Sequence, residues 1–208
     1  MHCRCKAFKI VKNMKIDKAL KKEKNSNRLF YLNMIILGVA IPVLAYLSSI
    51  RSTFILVYCA ILEGLIISAI LIRIANKNLK FTYYNSRLKI KTGLFLNESL
   101  ILCNNVAIVH TNKYDYDLEI IIVTNSKAKN KRLRPVTRTV LKKYPEINQE
   151  YIKIRKTNPD NVFFYQVIRG KSLKKYLLLE KIYSTCVKAV YTSQAIESIK
   201  IARGQNYD

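Results

Sequence analysis

LFYLNMIILGVAIPVLAYLSSI, residues 29–50, is a run of 22 positions without a charged side chain. At about 1.5 Å per residue, a helix of this length spans about 33 Å, enough to cross a hydrocarbon core of about 30 Å. A second run, TFILVYCAILEGLIISAILIRIA at residues 53–75, is interrupted only by Glu63 and Arg73. The two runs predict a transmembrane helical hairpin over residues 29–75 with a very short turn. Two alternatives stay open: a pair of buried helices in a soluble core, and a cleaved signal peptide.

Lysine and arginine flank the two runs unequally. Ten basic residues precede the first run, only Arg51 lies in the turn, and six more lie between Arg73 and Lys91. Because positive residues are retained on the cytoplasmic side, both termini are expected in the cytoplasm and the turn outside. The chain is therefore predicted to be a multi-pass cell-membrane protein with two transmembrane helices.

The overall composition narrows the class of protein. Lys and Arg total 37 against 13 Asp and Glu, a net charge of +24, yet hydrophobic residues make up 50% of the chain. That hydrophobicity argues against disorder, and five Gly and four Pro exclude collagen-like or linker-like chains. Five scattered Cys form no disulfide framework and suit the reducing side of a membrane. Of these, Cys103 and Cys186 are expected to fill the core.

Three parts follow: a basic cytoplasmic arm at 1–28, the hairpin at 29–75 with helices at 29–50 and 53–75, and a cytoplasmic region at 76–208. The arm has two interpretations. It is either an amphipathic helix on an anionic membrane surface or a solvated tail that acts only as a topology signal.

The cytoplasmic region alternates apolar and polar residues in short runs that predict about seven antiparallel strands. These runs are FTYYN at 81–85, RLKIKTG at 87–93, LFLNESLIL at 94–102, VAIVHTN at 106–112, LEIIIVT at 118–124, YIKIRKT at 151–157 and NVFFYQVIRG at 161–170. Turns are expected at 85–86 and 158–160. From Ser172 to Arg203 the period becomes helical and predicts one C-terminal helix over 172–203. The fold class is therefore α+β, with an antiparallel β-barrel or sandwich and a capping helix.

The stretch FTYYNSRLKIKTGLFLNESLILCNNVAIV resembles the opening of bacterial pleckstrin-homology-like (PH-like) domains of the YdbS/YdbT type. The matching positions are Tyr83, Tyr84, Arg87, Leu88, Ile90, Gly93, Leu94, Ile101 and Val106. Leu102 replaces the family's usual Pro, and Asn105 replaces its Arg. The resemblance implies a barrel used for docking rather than chemistry. Some small membrane proteins of this kind protect producer bacteria against their own leaderless bacteriocins. The Lys-, Asn- and Ile-rich composition is typical of a low-GC Gram-positive bacterium.

Motifs for catalysis are not found in the sequence, which lacks a phosphate-binding Gly loop, a GxSxG elbow and an HExxH helix. His2, Cys3 and Cys5 lack a fourth metal ligand, so incidental thiols are favoured over a metal site. His110 falls in an apolar strand and is expected to be packed rather than basic. The prediction is a protein without enzymatic activity, cofactor or metal.

Glu63 is unusual because an ionised carboxylate at mid-bilayer costs roughly 3 kcal/mol. It is expected to be protonated, to hydrogen-bond with Asn33 or Tyr46, or to pair across an interface between copies. Gly64 beside it would allow close helix approach. Two interpretations stay open: a functional role in ligand sensing or oligomerisation, and a tolerated acid facing its own hairpin partner.

A basic run between residues 127 and 143 is a candidate contact for lipid or partner. Its members are Lys127, Lys129, Lys131, Arg132, Arg134, Arg138, Lys142 and Lys143. Anionic headgroups are the favoured partner because each cation near the membrane gains about 1 kcal/mol of attraction. A solvated loop is the next interpretation. Nucleic acid is disfavoured because no aromatic residues are interleaved.

The predicted function is that of a non-enzymatic integral membrane protein with a PH-like module, protecting its host against a cationic, leaderless-type bacteriocin. The alternative is a small subunit or scaffold of a larger membrane complex, such as a transporter or conjugation machinery. Membrane lipids, a cationic peptide, a partner membrane protein and a second copy of the chain are the candidate partners.

Overall fold

The computed structural model describes residues 16–47, 53–94, 97–114, 117–127, 130 and 132–205. Its class is α+β, as predicted, with two long apolar helices followed by sheets and C-terminal helices. The described helices are α1 (Ile16–Leu47), α2 (Thr53–Lys77), α3 (Arg138–Lys143), α4 (Pro145–Thr157), α5 (Lys174–Thr185) and α6 (Ser193–Ala202). The described strands are β1 (Leu79–Tyr84), β2 (Arg87–Thr92), β3 (Asn97–Leu102), β4 (Val106–Tyr114), β5 (Asp117–Thr124), β6 (Arg134–Pro135), β7 (Phe164–Ile168) and β8 (Val190–Tyr191).

Helices α1 and α2 pack side by side as an antiparallel hairpin. Both are long and apolar enough to cross a membrane, and none of either apolar window is buried within the described chain. Half-buried positions recur at intervals of three and four residues on both helices, which is the spacing of a helix–helix seam. In the register set by the Asn27–Arg73 contact, positions 27, 31, 34, 38, 41 and 45 of α1 lie opposite 73, 69, 66, 62, 59 and 55 of α2.

Helix α1 begins earlier than the hairpin prediction placed it. Its first turn belongs to the main hydrophobic core, where Ile16 and Ala19 are buried and Leu20 packs beside them. Residues 16–28 are therefore neither a separate surface helix nor a solvated tail, since they continue without a break into the apolar part of α1. The remaining arm, residues 1–15, lies outside the described residues.

Strands β1, β2 and β3 form a three-stranded antiparallel sheet. The predicted turn at 85–86 joins β1 to β2, and Asn85 and Ser86 both have positive φ, at 47° and 58°. Two consecutive residues with positive φ give the backbone twist that a two-residue hairpin needs.

The second sheet has five strands in the order β6-β7-β5-β4-β8, with β8 parallel to β4. Its central strand β5 is buried on both faces, which explains the continuous β-branched run LEIIIVT. Ile120 and Ile122 face a core shared with the three-stranded sheet, α5 and α6. Ile121 and Val123 face the opposite side, which α4 covers.

Residues 151–157 are helical, so the strand predicted there is wrong, and the turn that follows at 159–160 joins a helix to a strand instead of two strands. They form the second half of α4, which starts with Pro145 at its first turn. Tyr144, Ile147 and Tyr151 are buried three and four residues apart, whereas Ile152 is exposed. The buried residues therefore follow the spacing of a helix, and this spacing sets the secondary structure of the segment. The alternation of apolar and polar residues around Ile152 does not face a core.

The single helix predicted over 172–203 is two helices. Helix α5 ends at Thr185 and α6 begins at Ser193, with β8 between them. Val190 and Tyr191 pair with Ile108 and Val109 of β4. The break between the two helices is a tertiary effect. Backbone groups of Val190 and Tyr191 pair with β4 instead of forming helical hydrogen bonds.

Candidate functional site

Polar side chains join α1 and α2 where the apolar runs end. The Arg73 guanidinium donates from Nε and Nη2 to Asn27 Oδ1 at 3.1 and 3.0 Å. It also lies 4.1 Å from the centre of the Phe30 ring, a cation–π distance. Lys77 forms an ion pair with Glu23, whose side chain is only 12% exposed. These five residues are named the hairpin root.

The hairpin root is bonded to the C-terminal region. Glu23 Oε2 accepts a hydrogen bond from the backbone N–H of Leu173, at the start of α5, at 3.1 Å. The carbonyl of Asn76 accepts from the N–H of Lys171 at 3.0 Å. Gly170 lies so close that a Cβ there would approach the Asn76 carbonyl to 3.2 Å. Together with the buried first turn of α1, these contacts attach the hairpin to the sheets at several points.

Exposed cations lie near the hairpin root in the chain. They lie on three segments that carry or adjoin its residues: the second to fourth turns of α1, the start of β1, and the start of α5 with the residues just before it. We name this group the basic collar, and its members are Lys21, Lys24, Arg28, Lys80, Lys171 and Lys174.

The described members of the predicted basic run lie on different elements. Arg132 donates a hydrogen bond to Thr92. Thr92 pairs with Leu79, two residues after the end of α2, so Arg132 lies near the hairpin root. Arg134 lies in β6, an edge strand, and Arg138, Lys142 and Lys143 are exposed on α3. Lys127 is exposed in the loop after β5. Lys129 and Lys131 lie outside the described residues.

Glu63 and Asn33 are not brought together. Glu63 is half-buried at the flank of the α1–α2 seam, and Asn33 is exposed on a face of α1 that does not line the seam. In the register of the hairpin, Glu63 lies level with Leu37, about 6 Å along the axis from Asn33. Neither side chain has a hydrogen-bond partner among the described residues. A Cβ at Gly64 would meet nothing within 4 Å, so that side of α2 is open.

His110 forms a buried polar cluster between α4 and the start of α6. Its Nδ1 lies 2.9 Å from Thr192 Oγ1 and 3.6 Å from Glu146 Oε2. Burial lowers the pKa of His110, and the Glu146 carboxylate opposes that shift. Glu146 Oε2 is itself buried without a hydrogen bond. A cleft of about 290 Å³ beside the cluster is lined in part by Glu146, Glu150 and Thr192.

The arrangement around His110 does not match a nucleophile–base–acid relay. Such a relay needs the hydroxyl and the carboxylate on opposite ring nitrogens, whereas Thr192 and Glu146 both approach Nδ1. Thr192 Oγ1 also accepts from the N–H of Ala195 at 3.4 Å and so caps α6. These contacts connect α4, β4 and the start of α6.

Within the described residues, no three His, Cys, Asp or Glu side chains are grouped as metal ligands would be. His2, Cys3 and Cys5, the metal alternative drawn from the sequence, lie outside the described part of the chain.

The sequence alone does not indicate a role for the junction residues Glu23, Asn27, Lys171 and Leu173. Polar residues just outside the apolar runs are a weak signal, since many helix ends have them. Their role depends on a contact across 150 residues of sequence between Glu23 and Leu173.

The described residues form an α+β chain. Its two-helix apolar hairpin is attached directly to a region with two sheets. Comparison with known proteins finds no matching family model, no similar curated protein and no similar solved structure.

Proposed function

We propose that this chain is a non-enzymatic integral membrane protein whose hairpin crosses the bilayer and holds the C-terminal region against the cytoplasmic surface. The uncovered apolar windows of α1 and α2 support this proposal. Such surfaces need an apolar environment, because large exposed apolar patches are rare on soluble monomers.

The observation that carries the proposal is the continuity of α1 from the core to the apolar run. Leu20 packs on the core and the apolar run starts at Leu29, a step of about 13 Å along the helix. The headgroup layer of one leaflet is about 5–8 Å thick, so this segment is long enough to cross it. The basic collar then lies at headgroup level, where cations are attracted to anionic lipids.

Protection against a cationic, membrane-active peptide is the cellular role that fits this arrangement best. A basic collar held at the cytoplasmic leaflet competes for the anionic headgroups that such a peptide needs once it reaches that leaflet, and the net charge of +24 repels the peptide from the same patch. The mechanism is electrostatic and indirect, and it uses no catalytic residue. The resemblance to PH-like immunity proteins points in the same direction.

A second candidate function is that of a small subunit or scaffold in a larger membrane complex. Glu63 and Asn33 favour it, because both lie on the apolar hairpin without a hydrogen-bond partner in the described chain. Polar side chains in a membrane commonly bond across helices, so a partner protein or a second copy would satisfy them.

Lipid contact is tested by neutralising equal charge at two places. One variant replaces four collar residues with Gln: Lys21, Lys24, Lys171 and Lys174. The matched control replaces four residues of the predicted basic run with Gln: Arg134, Arg138, Lys142 and Lys143. In nanodiscs of mixed anionic and zwitterionic lipid, native mass spectrometry should show loss of retained anionic lipid only for the collar variant. The opposite pattern would assign lipid contact to the basic run.

The protective role is tested in a sensitive Gram-positive strain that expresses the chain and is challenged with a panel of leaderless and other cationic bacteriocins. A selective rise in inhibitory concentration is expected, lost on deletion of residues 29–75 and reduced by the collar variant. No change across the panel would reject protection and favour the subunit role, which co-purification of partner membrane proteins would then examine.

Orientation is tested with single cysteines in a background lacking the native ones. A membrane-impermeant maleimide should label Ser52→Cys in intact cells and Gln205→Cys only after permeabilisation. Labelling in the reverse order would contradict the proposed placement of the collar in the cytoplasmic leaflet.

A further inference from the structure

Cys103 and Cys186 are far apart in the sequence and adjacent in the fold. Cys103 opens the short 3₁₀ turn that follows β3, and Cys186 directly follows the last residue of α5. Both are 1% exposed and both belong to the main core. Hydrophobic filling explains their burial but not their shared contact with the Thr185 hydroxyl.

The two thiols share polar contacts. Cys103 Sγ lies 3.7 Å from Thr185 Oγ1, and Cys186 Sγ lies 3.8 Å from the same oxygen. Both sulfurs therefore lie within 4 Å of one hydroxyl oxygen. The Cys186 side chain lowers the pKa of Cys103 below its usual value, against the effect of burial, whereas the pKa of Cys186 is raised. One member of the pair thus forms thiolate more readily than the other, and the thiolate is the form that reacts.

The backbone around Cys186 lies close to solvent. Val187, the next residue, is 82% exposed, and Lys188 is also exposed. Residues 186–189 connect α5 to β8. Within this connection the Ala189 N–H donates to the Cys186 carbonyl at 3.1 Å. The Tyr191 hydroxyl donates to the same carbonyl and to the carbonyl of Ile182. Exposure of the pair to a small reagent then requires a local opening of this short connection.

We propose that Cys103 and Cys186 are a redox-active thiol pair that a low-molecular-weight disulfide converts to an intramolecular disulfide. The Cys103 thiolate attacks one sulfur of the reagent, forms a mixed disulfide and releases one thiolate. The Cys186 thiolate then attacks Cys103 Sγ and releases the second. The protein loses two electrons and two protons, and the reagent is reduced to two thiols.

The crosslink would join the two halves of the C-terminal region. Cys103 is attached to the three-stranded sheet through β3, and Cys186 precedes the connection to β8, which pairs with β4 of the five-stranded sheet. The bond therefore restrains the unfolded chain between Cys103 and Cys186 and is expected to raise the melting temperature.

The test uses the full chain in detergent with Cys3, Cys5 and Cys59 replaced by Ser. After equilibration with oxidised glutathione, Cys103 and Cys186 should both resist alkylation, and peptide mapping should find them linked. Cys186→Ser should stop at a glutathione adduct on Cys103, and Cys103→Ser should react more slowly than the pair. Reduction should restore both thiols and lower the melting temperature.

A second arm addresses burial. The same protein is unfolded, reduced and refolded in a glutathione redox buffer, where both thiols are accessible before the core closes. If the linked peptide is absent from both the native and the refolded protein, or if both cysteines stay alkylatable at every redox ratio, the pair is only a core contact and the proposal fails. A linked peptide in either arm, with a raised melting temperature, supports it.

Discussion

Glu23 accepts a hydrogen bond from the backbone N–H of Leu173 at 3.1 Å, although 150 residues separate them. The same carboxylate pairs with Lys77 at the end of α2. One side chain therefore connects both helices of the hairpin to the start of α5. This contact makes the hairpin a part of the folded C-terminal region rather than an anchor on a linker.

Glu23→Ala should loosen this junction. The substitution leaves Lys77 and the Leu173 N–H without their acceptor in a mostly buried place, at a cost of about 1–3 kcal/mol. Thermal unfolding in detergent and hydrogen exchange at residues 171–176 measure the effect. Glu98→Ala is the control, since Glu98 pairs with Lys89 and Lys91 at an exposed position and should cost much less. Equal effects of the two variants would contradict a junction role for Glu23.

Gly170→Ala should also destabilise the junction. Gly170 has φ of +131°, a region that other residues rarely adopt, and its added Cβ would lie 3.2 Å from the Asn76 carbonyl. Gly204→Ala is a matched control, because Gly204 has φ of +67° and no atom within 4 Å of an added Cβ. The control should cost about 1 kcal/mol and Gly170→Ala about 2–3 kcal/mol, compared by melting temperature. A smaller effect at Gly170 would show that α2 tolerates displacement from the sheets.

Stability should fall as pH drops below about 6.5 because of His110. Its folded-state pKa is lowered by burial, so the unfolded chain binds the proton first and gains free energy over the folded one. The free energy of unfolding therefore decreases as the pH falls through the unfolded-state pKa of His110, and the decrease ends once the pH is below the folded-state pKa. Well above the unfolded-state pKa, His110 is neutral in both states and contributes no pH dependence. Unfolding at pH 7.5 and 5.5 should show the difference, and His110→Asn should reduce it.

Glu146→Gln provides an independent check of that pH dependence. The Glu146 carboxylate partly offsets the lowering of the His110 pKa, so its neutralisation should widen the stability difference between pH 7.5 and 5.5. An unchanged or narrower difference would show that Glu146 does not act on the imidazole.

Lys175→Met should destabilise the fold although it adds apolar character. Lys175 is 2% exposed, and its ammonium donates to the Asp117 carboxylate and to the Leu118 carbonyl. Removing one partner of a buried ion pair leaves the others unsatisfied, at about 2–4 kcal/mol. The adjacent Lys174→Met, at an exposed position, should be nearly neutral. Asp117→Asn in the Lys175→Met background should recover part of the loss in a double-mutant cycle.

Several elements were predictable from local sequence. The two apolar runs become α1 and α2, the Asn85–Ser86 pair forms the predicted hairpin turn, and LEIIIVT becomes the central strand β5. These predictions hold because each depends on a property of neighbouring residues: apolar length, tolerance of positive φ, or β-branching. The membrane location and the PH-like resemblance stay predictions.

Two elements were not predictable in this way. The YIKIRKT segment is helical because Ile147 and Tyr151 pack on Ile121 and its neighbours, and the Ile152 alternation has no core to face. The long C-terminal helical period is interrupted at β8 because Val190 and Tyr191 complete a sheet edge. In both, a contact with a distant strand outweighs a local preference of a few tenths of a kcal/mol per residue.

The sequence by itself determined that this protein has a two-helix apolar hairpin, a strongly basic remainder and a sheet-rich C-terminal region. Only the tertiary structure decided that Glu23 reaches Leu173, that the segments carrying the basic collar meet at the hairpin root, and that Cys103 and Cys186 contact the same Thr185 hydroxyl. Charge and hydropathy are summed along a chain and can be read from it. A site is made by residues that meet in space, and their meeting depends on how the sheets and helices pack.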